Sequence, residues 1–163
     1  MNSSSNTPSA TEAVLNAGAP DLVRHPPRSP RVRLGGYAIL ARSLDKGRAS
    51  IAGRIGEYHF GCPLDRQFLD FVGLKTEALR EQLSLGKSDA EILAWAGQHA
   101  TPQRSPEEIA AWSAGQETRA PADADSTAYF AEVKAKVAAH RSDIASWFDL
   151  LDVDDYVSFG GNS

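Results

Sequence analysis

The sequence predicts a mostly α fold: a single compact multi-helix domain behind a disordered N-terminal tail. Three observations carry that expectation. Apolar residues from Gly36 onward recur at the three-to-four-residue spacing of a helix face. Ser88-Asp-Ala-Glu91 and Ser105-Pro-Glu-Glu108 are capping boxes, in which Ser and Glu satisfy each other's exposed backbone donors at a helix start. No long alternating run of β-branched residues occurs, so strands are expected at most as short pieces around Tyr58 to Phe60 or Tyr156 to Phe159. With 163 residues, 42% of them hydrophobic and 23% charged, the chain has one domain's length and can bury a core without disulfides or a structural metal.

Taken in order, residues 1–20 are rich in Ser, Asn, Ala and Pro and are expected to be disordered, leaving residues 21–161 as the helical domain. Arg24-His25-Pro26-Pro27-Arg28-Ser29-Pro30 cannot start a helix before Pro30 and is expected to run extended as a strap. It also fits the R-x-x-P-x-x-P pattern that SH3 domains read as a polyproline helix. Tyr37, Leu40, Leu44 and Ile51 form one stripe of a helix opened by Gly35-Gly36 and closed by Gly53. After a turn-rich link, Pro63 marks the next helix start, because its fixed φ is already helical and its missing N–H is no loss there. Cys62 is then the N-cap, and Gly73 ends the helix. Thr76 caps a short helix that stops at Gly86.

Each capping box leads into Ile-x-x-Trp, Ile92 to Trp95 and Ile109 to Trp112, and Ile144 to Trp147 behind Ser142-Asp143 repeats the arrangement. An i, i+3 pair shares one helix face, so the three tryptophans are expected to point inward as core or as an aromatic cage. Glu117 to Ser126 reads as a polar loop and Thr127 to His140 as an amphipathic helix. The segment from Trp147 to Phe159 alternates apolar with acidic residues and is expected to pack back onto the domain, ending at Gly160-Gly161.

The net charge of −4 argues against nucleic acid as the main partner. Between Asp21 and Arg54 eight basic residues face only Asp21 and Asp45, whereas the stretch from Asp143 to Asp155 holds Asp143, Asp149, Asp152, Asp154 and Asp155 and no basic residue. Either the two ends neutralise each other or the first is a basic patch for an anionic ligand or protein partner. A single cysteine forms no internal disulfide, no apolar run approaches a membrane span, and no secretory leader is visible, so the expected location is cytoplasmic.

Several longer segments resemble a known family: Pro27 to Tyr37, Leu44-Asp-Lys-Gly-Arg-Ala49, Gly56-Glu-Tyr-His-Phe-Gly-Cys-Pro-Leu-Asp65, and Trp147 to Gly161. The chain is similar over Asp21 to Gly161 to a bacterial family of domains of unknown function, number 5069. The resemblance implies a single-domain bacterial protein and carries no activity, cofactor or catalytic residue with it.

Two sites follow from the residues themselves. The first is Cys62 at a helix mouth, with His59 three residues before it and Asp65 three after. A helix N-terminus stabilises a thiolate, His59 is placed to act as base, and Tyr58 or Arg66 to orient a substrate. Against this, the Asp65 carboxylate competes for the same positive end, and a free cysteine often packs as a small apolar filler. The second is an anion seat at Arg31, Arg33, Gly35 and Gly36, where arginines flank an expected helix start. No metal site is expected: the sequence has no C-x-x-C, no H-E-x-x-H and no carboxylate-x-x-His pair. The cofactor, if any, is unknown. A binding module using the basic strap and a thiol-dependent enzyme using Cys62 are the two functional expectations.

Overall fold

The computed structural model describes residues 18–163, so residues 1–17 of the expected tail lie outside the described residues. Among those described, seven helices follow one another: α1 Leu40–Ile51, α2 Pro63–Val72, α3 Thr76–Ser84, α4 Asp89–His99, α5 Pro106–Thr118, α6 Ala124–Val137 and α7 Trp147–Ser158. No strand occurs among the described residues, only an isolated bridge between Leu34 and Tyr37. The mostly α expectation holds, and the short strands considered at Tyr58–Phe60 and Tyr156–Phe159 do not form.

Local chemistry sets most boundaries. Ser88 and Ser105 each close a full capping box with the glutamate three residues on. Cys62 is the N-cap of α2 with Pro63 behind it, and Gly73 ends that helix in the left-handed conformation. There a Cβ would collide with the backbone oxygen of Thr101, so only glycine fits.

Four expectations need correcting. The first helix begins at Leu40, not Gly36. Leu34 and Tyr37 exchange backbone hydrogen bonds across a tight Gly35-Gly36 turn, and the Ser113 hydroxyl accepts from Ala38 N (2.9 Å) and donates to Gly36 O (2.7 Å). That polar clamp from α5 holds the segment out of helix. The third tryptophan does not repeat the other two: α7 starts after Ser146, which forms its box with Asp149. The helix expected over Thr127–His140 starts earlier, because Asp123 and Ser126 form a box of their own, and it ends at Val137. Thr76 is the first residue of α3 rather than its cap, which is Lys75.

Two cores result. The larger joins Ile39, Leu40 and Leu44 to Phe68, Leu69, Leu79, Leu83, Ile92 and Phe148, with Trp112 stacked on Phe71 at its edge. The smaller joins Phe130 of α6 to Ile144, Leu150 and Val153, with Trp147 edge-on to Phe130. Helix α7 serves both, through Phe148 on one side and Leu150 and Val153 on the other.

Helix α1 runs through the middle and is buried over most of its length, including Arg42, Ser43, Asp45 and Lys46. Buried charge is tolerated only when paired and hydrogen-bonded. Arg42 makes a two-pronged pair with Asp155 of α7 (2.6 and 3.2 Å), whose carboxylate also accepts from the Tyr58 hydroxyl at 2.7 Å. Lys46 pairs with Asp65 of α2 at 2.9 Å. Asp45 takes Arg28 from the strap.

Candidate functional site

Two cavities meet at Cys62. The first, about 580 Å³, opens between α1, the Gly56–His59 link and α7, and carries Arg42, Lys46, Tyr58 and His59 on its wall. The second, about 470 Å³, lies between the start of α2 and helices α6 and α7, and is mostly apolar, with Val133, Trp147 and Leu150. Cys62, Leu64, Tyr129, Leu151 and Asp154 line both, so they form one groove with a polar lobe and an apolar lobe. The groove runs along the seam between the two cores.

At that junction Cys62 takes an extended backbone (φ −65°, ψ 170°) as the cap of α2, yet its side chain makes no capping hydrogen bond. Its sulfur instead accepts from Lys46 Nζ at 3.2 Å. Lys46 is 3% exposed, and the Asp65 side chain beneath it is fully buried. The Asp65 carboxylate accepts from three directions: Lys46 Nζ, Ser43 Oγ at 2.6 Å, and Gly61 N at 2.8 Å. It therefore faces Lys46 and the preceding loop rather than the sulfur, and holds the ammonium against the thiol. His59 is exposed on the wall of the polar lobe and shares no hydrogen bond with Cys62 among the described residues.

The titratable groups around the groove differ in how their charge is met. Burial lowers the Arg42 guanidinium, but the Asp155 pair outweighs it and leaves the group raised. Tyr58 is raised by burial and by its hydrogen bond to Asp155, so it stays a phenol. Asp154 is raised by burial and by neighbouring Asp155, with Arg42 and Ser158 offsetting only part of this. Arg119 is lowered by burial alone.

The family model described as Domain of unknown function (DUF5069) matches residues 24–157. The chain belongs to this family. The matched range includes all of α1 to α6 and nearly all of α7, and with them Lys46, Cys62, Asp65, Arg119 and Asp154. Of the residues lining the polar lobe, Leu22, Val23, Ser158 and Phe159 fall outside it. No curated protein matches the chain.

In this DUF5069 member the strap arginines find carboxylates of the same chain. Arg28 bridges Asp45 and Asp89, Arg31 pairs with Asp149 and with Asp152 (3.1 Å), and Arg33 with Glu117 (2.9 Å). Gly35 and Gly36 sit in the tight turn described above, where Cβ atoms would press on Leu93 and Ile109, and they open no helix. The anion seat was expected from a helix mouth, and that mouth lies elsewhere. The groove brings together Cys62, His59 and, one layer below, Asp65, but not the arginine pair with the glycines. Sequence reasoning missed Lys46, Asp154 and Arg119. The available signal was Arg42-Ser43-Leu-Asp45-Lys46, a dense run of polar groups on an otherwise apolar helix.

No three His, Cys, Asp or Glu side chains converge among the described residues in a way that would hold a metal ion. No described helix is long and apolar enough to cross a membrane.

Proposed function

We propose that the domain is a small thiol-dependent enzyme acting on small molecules held in the groove, with Cys62 as nucleophile. The observation that carries this reading is the buried Lys46 ammonium donating to a sulfur that lies where two cavities meet. A thiolate is the reactive form of cysteine, and both an adjacent ammonium and a helix N-terminus favour it. The thiolate attacks an electrophilic carbonyl carbon in the groove, forming a carbon–sulfur bond and expelling the leaving group. Asp65 is a positioning residue acting through Lys46, and His59 on the polar wall donates a proton to the departing group and then takes one from the water that hydrolyses the thioester and frees the sulfur.

The strap is set aside as the functional element because Arg28, Arg31 and Arg33 already have counter-charges within the chain.

The test uses p-nitrophenyl acetate as a generic electrophile. Acetylation of Cys62, located by peptide mass spectrometry and absent in Cys62→Ser, is the expected result. Iodoacetamide should alkylate Cys62 at neutral pH faster than it alkylates free cysteine. The advantage should disappear in Lys46→Met/Asp65→Leu, which removes both charges together. An inert thiol, or one no faster than free cysteine, rejects the reading.

A further inference from the structure

In the apolar lobe two charged residues line the wall, Arg119 at the end of α5 and Asp154 on α7. Neither belongs to an ion pair among the described residues, in contrast to Arg28, Arg31, Arg33, Arg42, Lys46 and Arg48, which all do. Arg119 uses Nε on Gln116 Oε1 at 3.2 Å, and its terminal nitrogens have no protein acceptor among the described residues. Its guanidinium carbon stands 5.9 Å from the centroid of the Trp147 ring, which lines the same cavity. Asp154 has the Ser158 hydroxyl one turn along α7, and the nearby Arg42, already committed to Asp155, offsets its charge only in part.

Both groups are half-buried, and the desolvation of each pushes it toward its neutral form. Half-buried charges of opposite sign that share one cavity and do not pair with each other call for counter-charges from outside the protein. An anion would satisfy Arg119 and repel Asp154. A cation would do the reverse. A molecule carrying an ammonium and a carboxylate satisfies both.

We propose that the apolar lobe binds a small zwitterion of the amino-acid kind, its carboxylate on Arg119, its ammonium on Asp154 and its apolar side chain against Val133, Trp147 and Leu150. This names the substrate class of the groove and rests on reading the groove as the site. It also replaces a purely anionic ligand with one whose net charge is zero. The cavity of about 470 Å³ falls within the usual range of small-ligand sites.

The experiment is ligand-observed NMR with the full chain, using phenylalanine, leucine and the dipeptide leucyl-leucine, whose charges lie farther apart. Each is compared with analogues lacking one charge: phenethylamine, 3-phenylpropionate, isoamylamine and 4-methylpentanoate. Saturable binding of at least one zwitterion is expected, with each single-charge analogue weaker by about tenfold or more, the loss of one charge-assisted hydrogen bond. Arg119→Gln should erase the preference over the amines, and Asp154→Asn the preference over the carboxylates. Binding of none of the zwitterions, or equal binding of zwitterions and analogues to the unmodified protein, overturns the proposal. The outcome is separable from the thiol chemistry. Zwitterion binding by a protein with an inert Cys62 keeps this inference and removes the enzyme. Acetylated Cys62 without zwitterion binding does the opposite.

Discussion

Replacing Asp65 by Asn tests whether the layer beneath the thiol is held by charge or merely by shape. The exchange keeps the side-chain outline but removes the charge that balances Lys46, which is 3% exposed. It also turns one of two acceptor oxygens into a donor, while Ser43 Oγ, Lys46 Nζ and Gly61 N all still point hydrogens at the site. Removing one partner of a buried ion pair costs about 3–5 kcal/mol, a large share of the roughly 5–15 kcal/mol that holds a domain folded. For a chain of this length that corresponds to a fall in melting temperature of about 6–20 °C, at ~2–4 °C per kcal/mol. Lys46→Met should cost a similar amount, because it strands the carboxylate. Removing both charges in Lys46→Met/Asp65→Leu should recover much of the loss, with Ser43 and Gly61 N each still lacking an acceptor at about 1–3 kcal/mol. Urea and thermal unfolding followed by circular dichroism, with Asp65→Leu as the second single variant, give the cycle. A single Asp65→Asn variant within about 1 kcal/mol of the parent would refute the reasoning, as would a coupling below ~0.5 kcal/mol.

Gly73→Ala should destabilise by more than the ~1–2 kcal/mol of a left-handed backbone alone, because the new Cβ meets the Thr101 carbonyl; a neutral result in urea titration would contradict the α2 ending. Asp154 has a raised folded-state pKa, so it adds stability only at acid pH and that contribution is lost as pH rises through the folded value. Asp154→Asn is therefore expected to be more stable than the parent at pH 7 and no more stable below about pH 3.8, the usual aspartate value; the reverse order at pH 7 would show that Arg42 meets the carboxylate's charge in full. Asp89 runs the other way: burial raises its carboxyl, but Arg28 and Arg48 outweigh this and hold it low, so its contribution is present above the usual value and lost in acid. Asp89→Asn should flatten the acid limb of the stability profile. Phe148→Ala, with no exposed surface in the parent, should cost about 3–5 kcal/mol, and a smaller loss would argue against α7 as a wall of the larger core.

How legible each part was in the sequence follows from how local its cause is. Ser88 and Ser105 act on a residue three positions away, and Pro63 and Gly73 act on their own φ, so those boundaries can be read from a few letters. The start at Leu40 cannot, because the residue that holds Ala38 out of helix is Ser113, seventy-five positions later. Likewise Ser142 and Ser146 are both followed within three residues by a carboxylate, and only packing chooses Ser146. The same holds at the site. The helix mouth under Cys62 was readable from Cys-Pro, whereas Lys46, sixteen residues earlier, reaches the sulfur only through the crossing of α1 and α2. Arg119 and Asp154 are ordinary surface letters until the fold places them on one cavity, where neither joins an ion pair among the described residues.

The division of apolar packing into two clusters has a mechanical consequence. Phe130 is the one buried side chain that α6 contributes, so this helix is anchored chiefly by α7 and can detach at lower free energy than the rest. Val133 and Tyr129 ride on it, and they form one bank of the groove. An occupant touching both banks would act as a staple across the seam. Its arrival should be visible as slowed amide exchange along α6, leaving the exchange of α3 and α4 on the far side unchanged.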